Sequence, residues 1–292
     1  MKKLKKIMLP LLFIGIILSS CGKPNGNSLM NDVPYGKHKN QTMDIALPSE
    51  ANDENRVPVV LCIHGGSWSN GDKHDFDFVK ERTLKSHCAY VTINYRMIGD
   101  NVTYKEMLAD IKKAVGYLKD HAKEYPIKTD RMVVLGSSAG GHLSLLYAYS
   151  QDSPIPVKVA VGMCAPTDFT DPEFILLNAA SHLPLMNKLL GTNVSVSDLT
   201  NPNFVLPAQV TDASPVFHVK STTPPTVLAH GLLDPVVTYS NAVRLDQKLT
   251  DFNIEHQLIS YPNSGHELNK DPEQSNLFWN TVLQYVNENV ME

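Results

Sequence analysis

The chain has 292 residues, of which 42% are hydrophobic and 19% are charged, and its formal net charge at pH 7 is −4. This composition supports a large buried core in one domain and is unlike that of a disordered protein. Four lysines lie among the first six residues, so loss of the first twenty residues leaves 22 basic and 30 acidic side chains. The resulting net charge of about −8 argues against an electrostatic attraction to nucleic acid.

The N-terminus has the three parts of a secretory signal peptide: a basic stretch at residues 1–6, an apolar run at residues 7–18, and small residues after it. Twelve apolar residues are too few to span a bilayer as a helix. The ending Leu18-Ser19-Ser20-Cys21 resembles a bacterial lipobox, in which the chain is cut before the cysteine and the thiol receives a diacylglycerol. We therefore expect an exported lipoprotein anchored to a membrane through Cys21. The alternative is an ordinary cleaved signal peptide with an incidental cysteine.

Residues 22–34 are rich in Asn, Gly, Ser and Pro, a composition typical of a flexible tether. The predicted organisation is a lipoprotein signal peptide at 1–20, a lipidated tether at 21–40 and a globular domain at 41–292. Three further cysteines, Cys62, Cys88 and Cys164, each lie in or at the end of an apolar run, and we expect buried thiols there. They have neither CxxC spacing nor a neighbouring histidine cluster, so the sequence indicates neither a disulfide framework nor a zinc site.

From Gln41 onward, strand-like and helix-like segments alternate along the chain. Most of the strand-like runs are rich in Val, Ile and Leu with little polar alternation, which is typical of strands buried on both faces of a parallel sheet. The predicted strands are Met43–Leu47, Val57–Ile63, Ala89–Asn94, Met132–Leu135, Val157–Cys164, Thr226–His230 and His256–Ser260. The predicted helices are Tyr104–Glu124, Ser138–Ser150, Tyr239–Leu249 and Pro272–Asn289. This order predicts an α/β fold with a doubly wound, mostly parallel sheet.

The segment at residues 167–214 interrupts this alternation. It is too long for an ordinary connection and contains an amphipathic stretch around residues 174–190. Long insertions in compact domains are commonly functional, so we expect a small cap insertion that contacts the substrate. The alternative is a surface excursion without such contact.

The motif Gly136-Ser137-Ser138-Ala139-Gly140 is a GxSxG that directly follows the predicted strand Met132–Leu135 and opens the next helix. This is the setting of a nucleophile elbow, the sharp strand-to-helix turn that exposes a catalytic serine. The turn strains the backbone of the serine, so the residues two positions away must be small, as Gly136 and Gly140 are. We therefore predict Ser138 as a nucleophile, with the Ala139 amide and the helix N-terminus facing developing negative charge.

A serine nucleophile needs a base, and the base needs a third group that fixes its orientation. With a nucleophile elbow, the acid comes next along the chain and the histidine comes last. Asp234 follows the predicted strand Thr226–His230 and His266 follows His256–Ser260, so both would lie at the sheet edge that carries Ser138. Taken alone, Asp234 could be a turn or N-cap residue and His266 a solvated loop histidine. Their order and placement together favour a catalytic triad.

A glycine-rich turn, His64-Gly65-Gly66-Ser67-Trp68, follows the early predicted strand. Backbone amides in such a turn stabilise the oxyanion of acyl transfer, as in the HGGG-type loops of lipases and esterases. We predict that the amides of Gly66 and Ser67 form an oxyanion hole together with that of Ala139. His64 and Gly65 would then support the loop, and Trp68 would form a wall of the substrate pocket. The alternative is a flexible Gly-Gly turn without a role.

These motifs, together with Asn94-Tyr95-Arg96, the extension Gly141-His142, His230-Gly231 before the acid, and Gly265 before the base, resemble those of one group of α/β hydrolases. The group comprises bacterial esterases related to hormone-sensitive lipase, and those like acetylxylan and feruloyl esterases are most similar. The resemblance covers about residues 41–290 and implies an eight-stranded, mostly parallel sheet, ester substrates, and a mechanism without metal or cofactor. It also implies that Tyr95 and Arg96 support the oxyanion loop. Ser67 in place of a third glycine, and Leu233 before the acid, depart from the usual pattern and leave the subfamily open.

The sequence thus predicts a serine esterase that hydrolyses short-chain carboxylic esters through an acyl-enzyme. Small esters or acylated carbohydrates at the cell surface are the expected substrates. Three alternatives remain: a lipase, an arylformamidase-like amidase, and a surface binding lipoprotein that keeps a hydrolase fold without turnover. Sequence patterns do not determine the oligomeric state.

Overall fold

The computed structural model describes residues 27–99, 101–179 and 181–291. The predicted signal peptide and the predicted lipidation site at Cys21 lie outside the described residues. Within the described ranges, no helix combines the length and the apolar character that a membrane crossing requires.

In the described part of the chain, eight strands form one sheet. Their bounds are β1 Ser28–Pro34, β2 Thr42–Leu47, β3 Val57–Ile63, β4 Ala89–Ile93, β5 Ile127–Ser137, β6 Val157–Met163, β7 Thr226–Gly231 and β8 His256–Tyr261. Their spatial order is β1-β2-β4-β3-β5-β6-β7-β8. β2 runs antiparallel to both of its neighbours, β1 and β4, whereas all pairs from β4 to β8 are parallel. The carboxyl ends of β3, β5, β6, β7 and β8 therefore lie at the same edge of the sheet.

Helices cover both faces of the sheet. Their bounds are α1 Asp77–Lys85, α2 Tyr104–Asp120, α3 Ala139–Ser150, α4 Pro172–Ala179, α5 Leu183–Leu190, α6 Val196–Leu199, α7 Ala208–Asp212, α8 Tyr239–Asp251 and α9 Pro272–Val286. Short 3-10 turns lie at Lys73–Phe76 and Pro215–His218, and a π-helical turn lies at Asn287–Met291.

Two apolar cores form where these helices meet the sheet, and β3 contributes to both because successive side chains of a strand point to opposite faces. Val59, Leu61 and Ile63 pack with α2, α3 and α8, whereas Val60 and Cys62 pack with α1 and α9. Every residue of β3 is buried, as expected for a strand covered on both sides. The predicted α/β fold, a doubly wound and mostly parallel eight-stranded sheet, is confirmed.

The tether prediction is wrong for residues 28–34, because strand β1 lies there and pairs with β2. β1 is an edge strand that is only partly buried and contains Asn, Asp and Pro, so it lacks the apolar run that marks the central strands. Lys73 fixes its middle, since the buried ammonium lies 3.0 Å from Asp32 of β1 and 3.1 Å from Asp44 of β2. The globular domain therefore begins at β1 rather than at residue 41.

The segment at residues 167–214 contains α4 to α7, and its base is tied to the start of α8. The backbone N–H groups of Thr167 and Asp168 donate to Asn241 Oδ1 at 2.8 and 2.9 Å, and Asn241 Nδ2 donates to Asp171 at 2.9 Å. Asn241 and Asp171 are both buried, which makes these bonds costly to break. The cap is therefore firmly joined to the sheet domain at its base.

Candidate active site

Ser138 occupies the turn between β5 and α3 with φ 53° and ψ −122°, the strained conformation predicted for a nucleophile elbow. Its backbone N–H donates to the Met163 carbonyl at 2.7 Å, which holds the turn against β6. A Cβ at Gly136 would lie 2.2 Å from the carbonyl oxygen of Gly140, and a Cβ at Gly140 would lie 2.0 Å from that of Ile63. Larger residues at either glycine would therefore displace Ser138.

Asp234 and His266 meet between the loops that follow the neighbouring strands β7 and β8. His266 Nδ1–H donates to Asp234 Oδ2 at 2.8 Å. The two loops pack closely, because a Cβ at Gly231 would lie 2.3 Å from the carbonyl oxygen of Gly265. The bond to Asp234 places the ring proton on Nδ1 and leaves Nε2 as the basic atom of His266.

The carboxylate of Asp234 is buried among hydrogen-bond donors. The N–H groups of Val236 and Val237 donate to Oδ1 at 2.8 and 3.0 Å. His230 Nε2 donates to the Val237 carbonyl at 2.9 Å and lies 3.3 Å from Asp234 Oδ2. Burial acts to raise the pKa of Asp234, but the bonds from His230, His266 and Val237 outweigh it and hold the pKa well below its usual range. The carboxylate is therefore ionised at neutral pH and can stabilise an imidazolium at His266.

The loop after β3 passes through three successive residues with positive φ: Gly66 at 99°, Ser67 at 51° and Trp68 at 57°. Among the described residues, the N–H groups of Gly66, Ser67 and Ala139 donate to no protein acceptor. Ala139 is the first residue of α3, where a helix leaves its N–H groups unpaired. This is the arrangement predicted for an oxyanion hole, and the binding of a substrate oxygen by these donors remains a prediction.

The oxyanion loop has its own support. Tyr95 Oη donates to the His64 carbonyl at 2.9 Å, and the two rings stack with centroids 4.5 Å apart. His64 Nδ1–H donates to the Gly65 carbonyl at 2.8 Å. These contacts agree with the supporting roles predicted for His64 and Tyr95, which stay predictions. Arg96 instead pairs with Asp110 of α2 at 2.7 Å, so its predicted support of the loop is wrong.

A cavity of about 550 Å³ lies at the carboxyl edge of the sheet. Its wall includes Ser138, His266, Gly66 and Ser67, so the predicted nucleophile, base and two oxyanion donors share one space. Asp234 is absent from this wall and is buried behind His266. The structure thus brings together side chains that lie far apart along the chain.

A second cavity, of about 40 Å³, meets the first at Ser138, and we name it the slot. Ser67, Ser138 and Val236 border both spaces. Trp68 lines the slot, and its indole N–H donates to Nδ1 of the buried His142 at 3.1 Å. Helices α4 and α5 also line the slot, so the cap borders Ser138, and its contact with the substrate stays a prediction.

The family model of BD-FAE matches residues 43–249, a range that includes β2 to α8, the oxyanion loop, Ser138 and Asp234. The chain belongs to the BD-FAE family. Its match covers well over half of the chain and ends before His266, which follows β8.

Known proteins similar to this BD-FAE chain include two from Mycobacterium tuberculosis. The probable carboxylic ester hydrolase LipM is 31% identical over 227 residues, which cover 72% of this chain and 49% of LipM. The esterase LipQ is 27% identical over 247 residues, which cover 81% of this chain and 56% of LipQ. The chain thus spans about half the length of these relatives.

A solved structure, a truncated form of a carbohydrate esterase from gut microbiota, shares the fold of this BD-FAE chain. The TM-score is 0.70 at 19% sequence identity, and the match covers 91% of this chain and 98% of that one. This likeness independently supports the α/β-hydrolase architecture.

One group of side chains in the BD-FAE site has the composition of a metal site: potential ligand atoms of Cys164, His230 and Asp234 all lie within 4.8 Å of one another. Burial raises the pKa of the Cys164 thiol, so that it stays protonated at neutral pH and presents no thiolate. Asp234 already accepts hydrogen bonds from His266 and from two backbone amides. The donor set therefore fits support of the carboxylate better than metal coordination.

Cys62, Cys88 and Cys164 are free and buried, as predicted.

Two residues that position the BD-FAE site are not evident from the sequence. His230 belongs to a His-Gly-x-x-Asp pattern, but its proximity to the acid appears only in the fold. Asp271 accepts hydrogen bonds from the backbone and side chain of Asn263, at 3.1 and 2.8 Å, and from Ser264 Oγ. It thereby fixes the loop that carries His266. Asp-Pro is also a common helix start. The sequence around Asp271 therefore does not show that its side chain supports the His266 loop as well as preceding a helix.

Proposed function

We propose that this protein is a serine esterase that hydrolyses carboxylic esters through an acyl-enzyme. One arrangement carries the proposal: Ser138, on a strained turn, opens on the same cavity as His266, and Asp234 holds the imidazole at 2.8 Å. These three residues match the roles of nucleophile, base and acid in a triad. The names of LipM, a probable carboxylic ester hydrolase, and LipQ, an esterase, support the same chemistry.

In the first half-reaction, Ser138 Oγ attacks the ester carbonyl carbon while His266 Nε2 takes the hydroxyl proton. Asp234 stabilises the imidazolium, and the amides of the oxyanion loop and of Ala139 donate to the oxyanion. Collapse of the tetrahedral intermediate breaks the bond between the carbonyl carbon and the alcohol oxygen. His266 gives its proton to that oxygen, and the acyl group remains on Ser138.

In the second half-reaction, a water molecule takes the place of the released alcohol. His266 removes a proton from the water, whose oxygen attacks the acyl carbon, and the same amides hold the new oxyanion. The bond to Ser138 Oγ then breaks, and the proton returns from His266 to the serine. The enzyme thus regains its starting state and releases the carboxylic acid.

The larger cavity suits a polar alcohol of about the size of a sugar. It measures about 550 Å³, and the residues that line it include the acidic Asp75 and Glu267 and the aromatic Phe76 and Phe78. Carboxylates accept hydrogen bonds from hydroxyl groups, and aromatic rings offer an apolar surface to the carbon skeleton. We therefore propose acylated carbohydrates as the substrate class.

The replacement Ser138→Ala tests the assigned nucleophile. We expect kcat/KM for p-nitrophenyl acetate to fall by about a thousandfold or more, because the acyl-enzyme cannot form. A fluorophosphonate probe should label the wild-type protein and leave Ser138→Ala unlabelled. The control is Ser150→Ala, at the opposite end of α3, which should keep both the activity and the labelling.

Wild-type activity in Ser138→Ala would show that another group is the nucleophile. The proposed substrate class has its own readout, the release of acetate from acetylated xylan by the wild-type protein. Fast hydrolysis of octanoyl aryl esters without any release of acetate from the polymer would point to lipids and contradict the carbohydrate proposal.

We also propose that the protein works outside the cytoplasm as a lipoprotein anchored through Cys21. The basic and apolar parts of residues 1–18 and the ending Leu18-Ser19-Ser20-Cys21 support this location. An anchored esterase at the cell surface would meet polysaccharide fragments without requiring their uptake.

A further inference from the structure

The two cavities that meet at Ser138 differ in their access to the catalytic base. His266 lies in the wall of the larger cavity and is absent from the wall of the slot. Since His266 must give its proton to the leaving oxygen, the alcohol has to occupy the larger cavity. This step of the argument rests on the proposed esterase function.

The acyl group must then extend into the slot. During the reaction the carbonyl carbon is bonded to Ser138 and the carbonyl oxygen lies against the oxyanion loop, so the remaining substituent points away from the alcohol. Apolar groups dominate the lining of the slot, including Trp68, Pro166, Leu185 and Val237, which suits an alkyl chain.

The slot is short. Its volume of about 40 Å³ has room for about three water-sized groups. An acetyl, propionyl or butyryl group fits this space beyond its carbonyl carbon. An octanoyl chain or a feruloyl group exceeds it.

Two cap side chains lie between the slot and another cavity. Phe174 of α4 and Met186 of α5 are both buried and line the slot. Each also lines a third, mostly apolar cavity of about 60 Å³ inside the cap, which we name the inner cap cavity. Phe174 packs against Phe169 with ring centroids 5.8 Å apart, which fixes its position. Asn178 borders both spaces too, but its side-chain amide donates to the Phe174 carbonyl at 2.9 Å.

We infer that Phe174 and Met186 set the acyl-chain length that this enzyme accepts. With both side chains in place, the slot admits acyl groups of about four carbons or fewer. Loss of either side chain joins the slot to the inner cap cavity and admits medium-length chains. Among carbohydrate esters, this selects acetyl groups over feruloyl groups.

The experiment is an acyl-length profile with p-nitrophenyl esters, because the leaving group is then constant and only the acyl side varies. We expect the wild-type kcat/KM for octanoate to be about tenfold or more below that for acetate. Phe174→Ala and Met186→Ala should each raise the octanoate-to-acetate ratio by about tenfold or more. Leu190→Ala is the matched control, since Leu190 is also buried on α5 and lines the inner cap cavity but not the slot. Its ratio should equal that of the wild type.

The inference would be overturned if Phe174→Ala and Met186→Ala hydrolysed the acetate ester but kept the wild-type octanoate-to-acetate ratio. A wild-type protein equally active on octanoate and acetate would also overturn it. If Phe174→Ala does not fold, Met186→Ala, which removes fewer atoms, decides the question alone. Absence of hydrolysis with every ester, together with no labelling of Ser138 by fluorophosphonate, would refute the proposed function and this inference with it. Hydrolysis with the wrong length profile would refute the inference alone.

Discussion

His142 joins three parts of the site through a single imidazole. It lies in the first turn of α3 and is fully buried. Its Nδ1 accepts the indole N–H of Trp68 at 3.1 Å, and its Nε2–H donates at 2.7 Å to the carbonyl of Ala213, at the end of the cap segment. An imidazolium would present a second N–H to the Trp68 donor, so the ring must be neutral to keep both bonds.

Acidification below pH 6.5 is expected to weaken the fold through His142. Burial lowers its pKa from 6.5 to about 4, although the hydrogen bond to the Ala213 carbonyl opposes this shift. The unfolded chain binds this proton at a higher pH than the folded chain. The contribution of neutral His142 to stability is therefore fully present above pH 6.5 and is lost as the pH drops towards 4. The loss amounts to about 3 kcal/mol in the free energy of unfolding. Urea unfolding across this pH range measures it.

The matched variants are His142→Gln and His38→Gln. The first removes the buried titrating group and should flatten the pH dependence of stability, whatever it does to stability at neutral pH. The second changes an exposed loop histidine and should keep the wild-type slope. The same slope in His142→Gln and in the wild type would show that this imidazole does not govern acid stability.

Among the elements, helix α3 lies closer to the sheet than a side chain would allow. A Cβ at Gly140 would meet the carbonyl oxygens of Ile63 at 2.0 Å and of His64 at 2.4 Å. Bare glycine backbone therefore lets the start of α3 touch the end of β3. This contact brings the unpaired N–H groups at the helix start next to the oxyanion loop.

The replacement Gly140→Ala should push α3 away from β3. We expect a loss of about 2 kcal/mol or more in the free energy of unfolding, because backbone atoms on both sides cannot yield easily. Displacement of Ser138 should also lower kcat/KM for p-nitrophenyl acetate by about a hundredfold. Thermal unfolding and ester kinetics on the purified variant measure the two effects.

Gly116→Ala is the control for Gly140→Ala. Gly116 lies inside α2, and a Cβ there would meet only Pro154 Cγ, at 4.0 Å. Alanine should therefore stabilise the protein by about 0.5 to 1 kcal/mol through helix propensity, with unchanged kinetics. If Gly140→Ala behaved like Gly116→Ala, the close approach of α3 to β3 would not matter for the site.

For the whole molecule, the parallel sheet explains why distant parts of the chain form one site. The oxyanion loop follows β3, Ser138 follows β5, Asp234 follows β7 and His266 follows β8, and these strands all end at the same edge.

The position of β1 also limits the distance between the proposed lipid anchor at Cys21 and the domain. Only residues 22–27 separate Cys21 from β1, and six residues reach at most roughly 20 Å even when fully extended.

The replacement Cys21→Ser tests the proposed anchoring. We expect the wild-type protein, expressed with residues 1–292 in a bacterium that processes lipoproteins, to be found in the membrane fraction and to incorporate labelled palmitate. Cys21→Ser should incorporate no label and move to the soluble fraction, with kcat/KM for p-nitrophenyl acetate unchanged. The control Cys88→Ser changes a buried thiol and should leave both membrane association and labelling intact. An unlabelled wild-type protein would rule out lipidation.

The sequence by itself determined the sheet type and predicted the triad and the oxyanion loop. Buried parallel strands need uninterrupted apolar runs, and a nucleophile elbow needs glycines two residues on either side of the serine, so both leave local patterns that can be recognised. From these patterns came Ser138, the loop from His64 to Trp68, and the placement of Asp234 and His266 after successive strands.

Only the tertiary structure decided the rest. β1 is held by pairing with β2 and by Lys73, and its own residues carry too little apolar character to predict a strand. The proximity of His230 to Asp234 and the position of Phe174 and Met186 between the slot and the inner cap cavity likewise depend on how separate elements pack together. A local pattern records which backbone conformation a segment prefers. It does not record which distant side chain that segment will meet, because that choice is made by the packing of the whole chain.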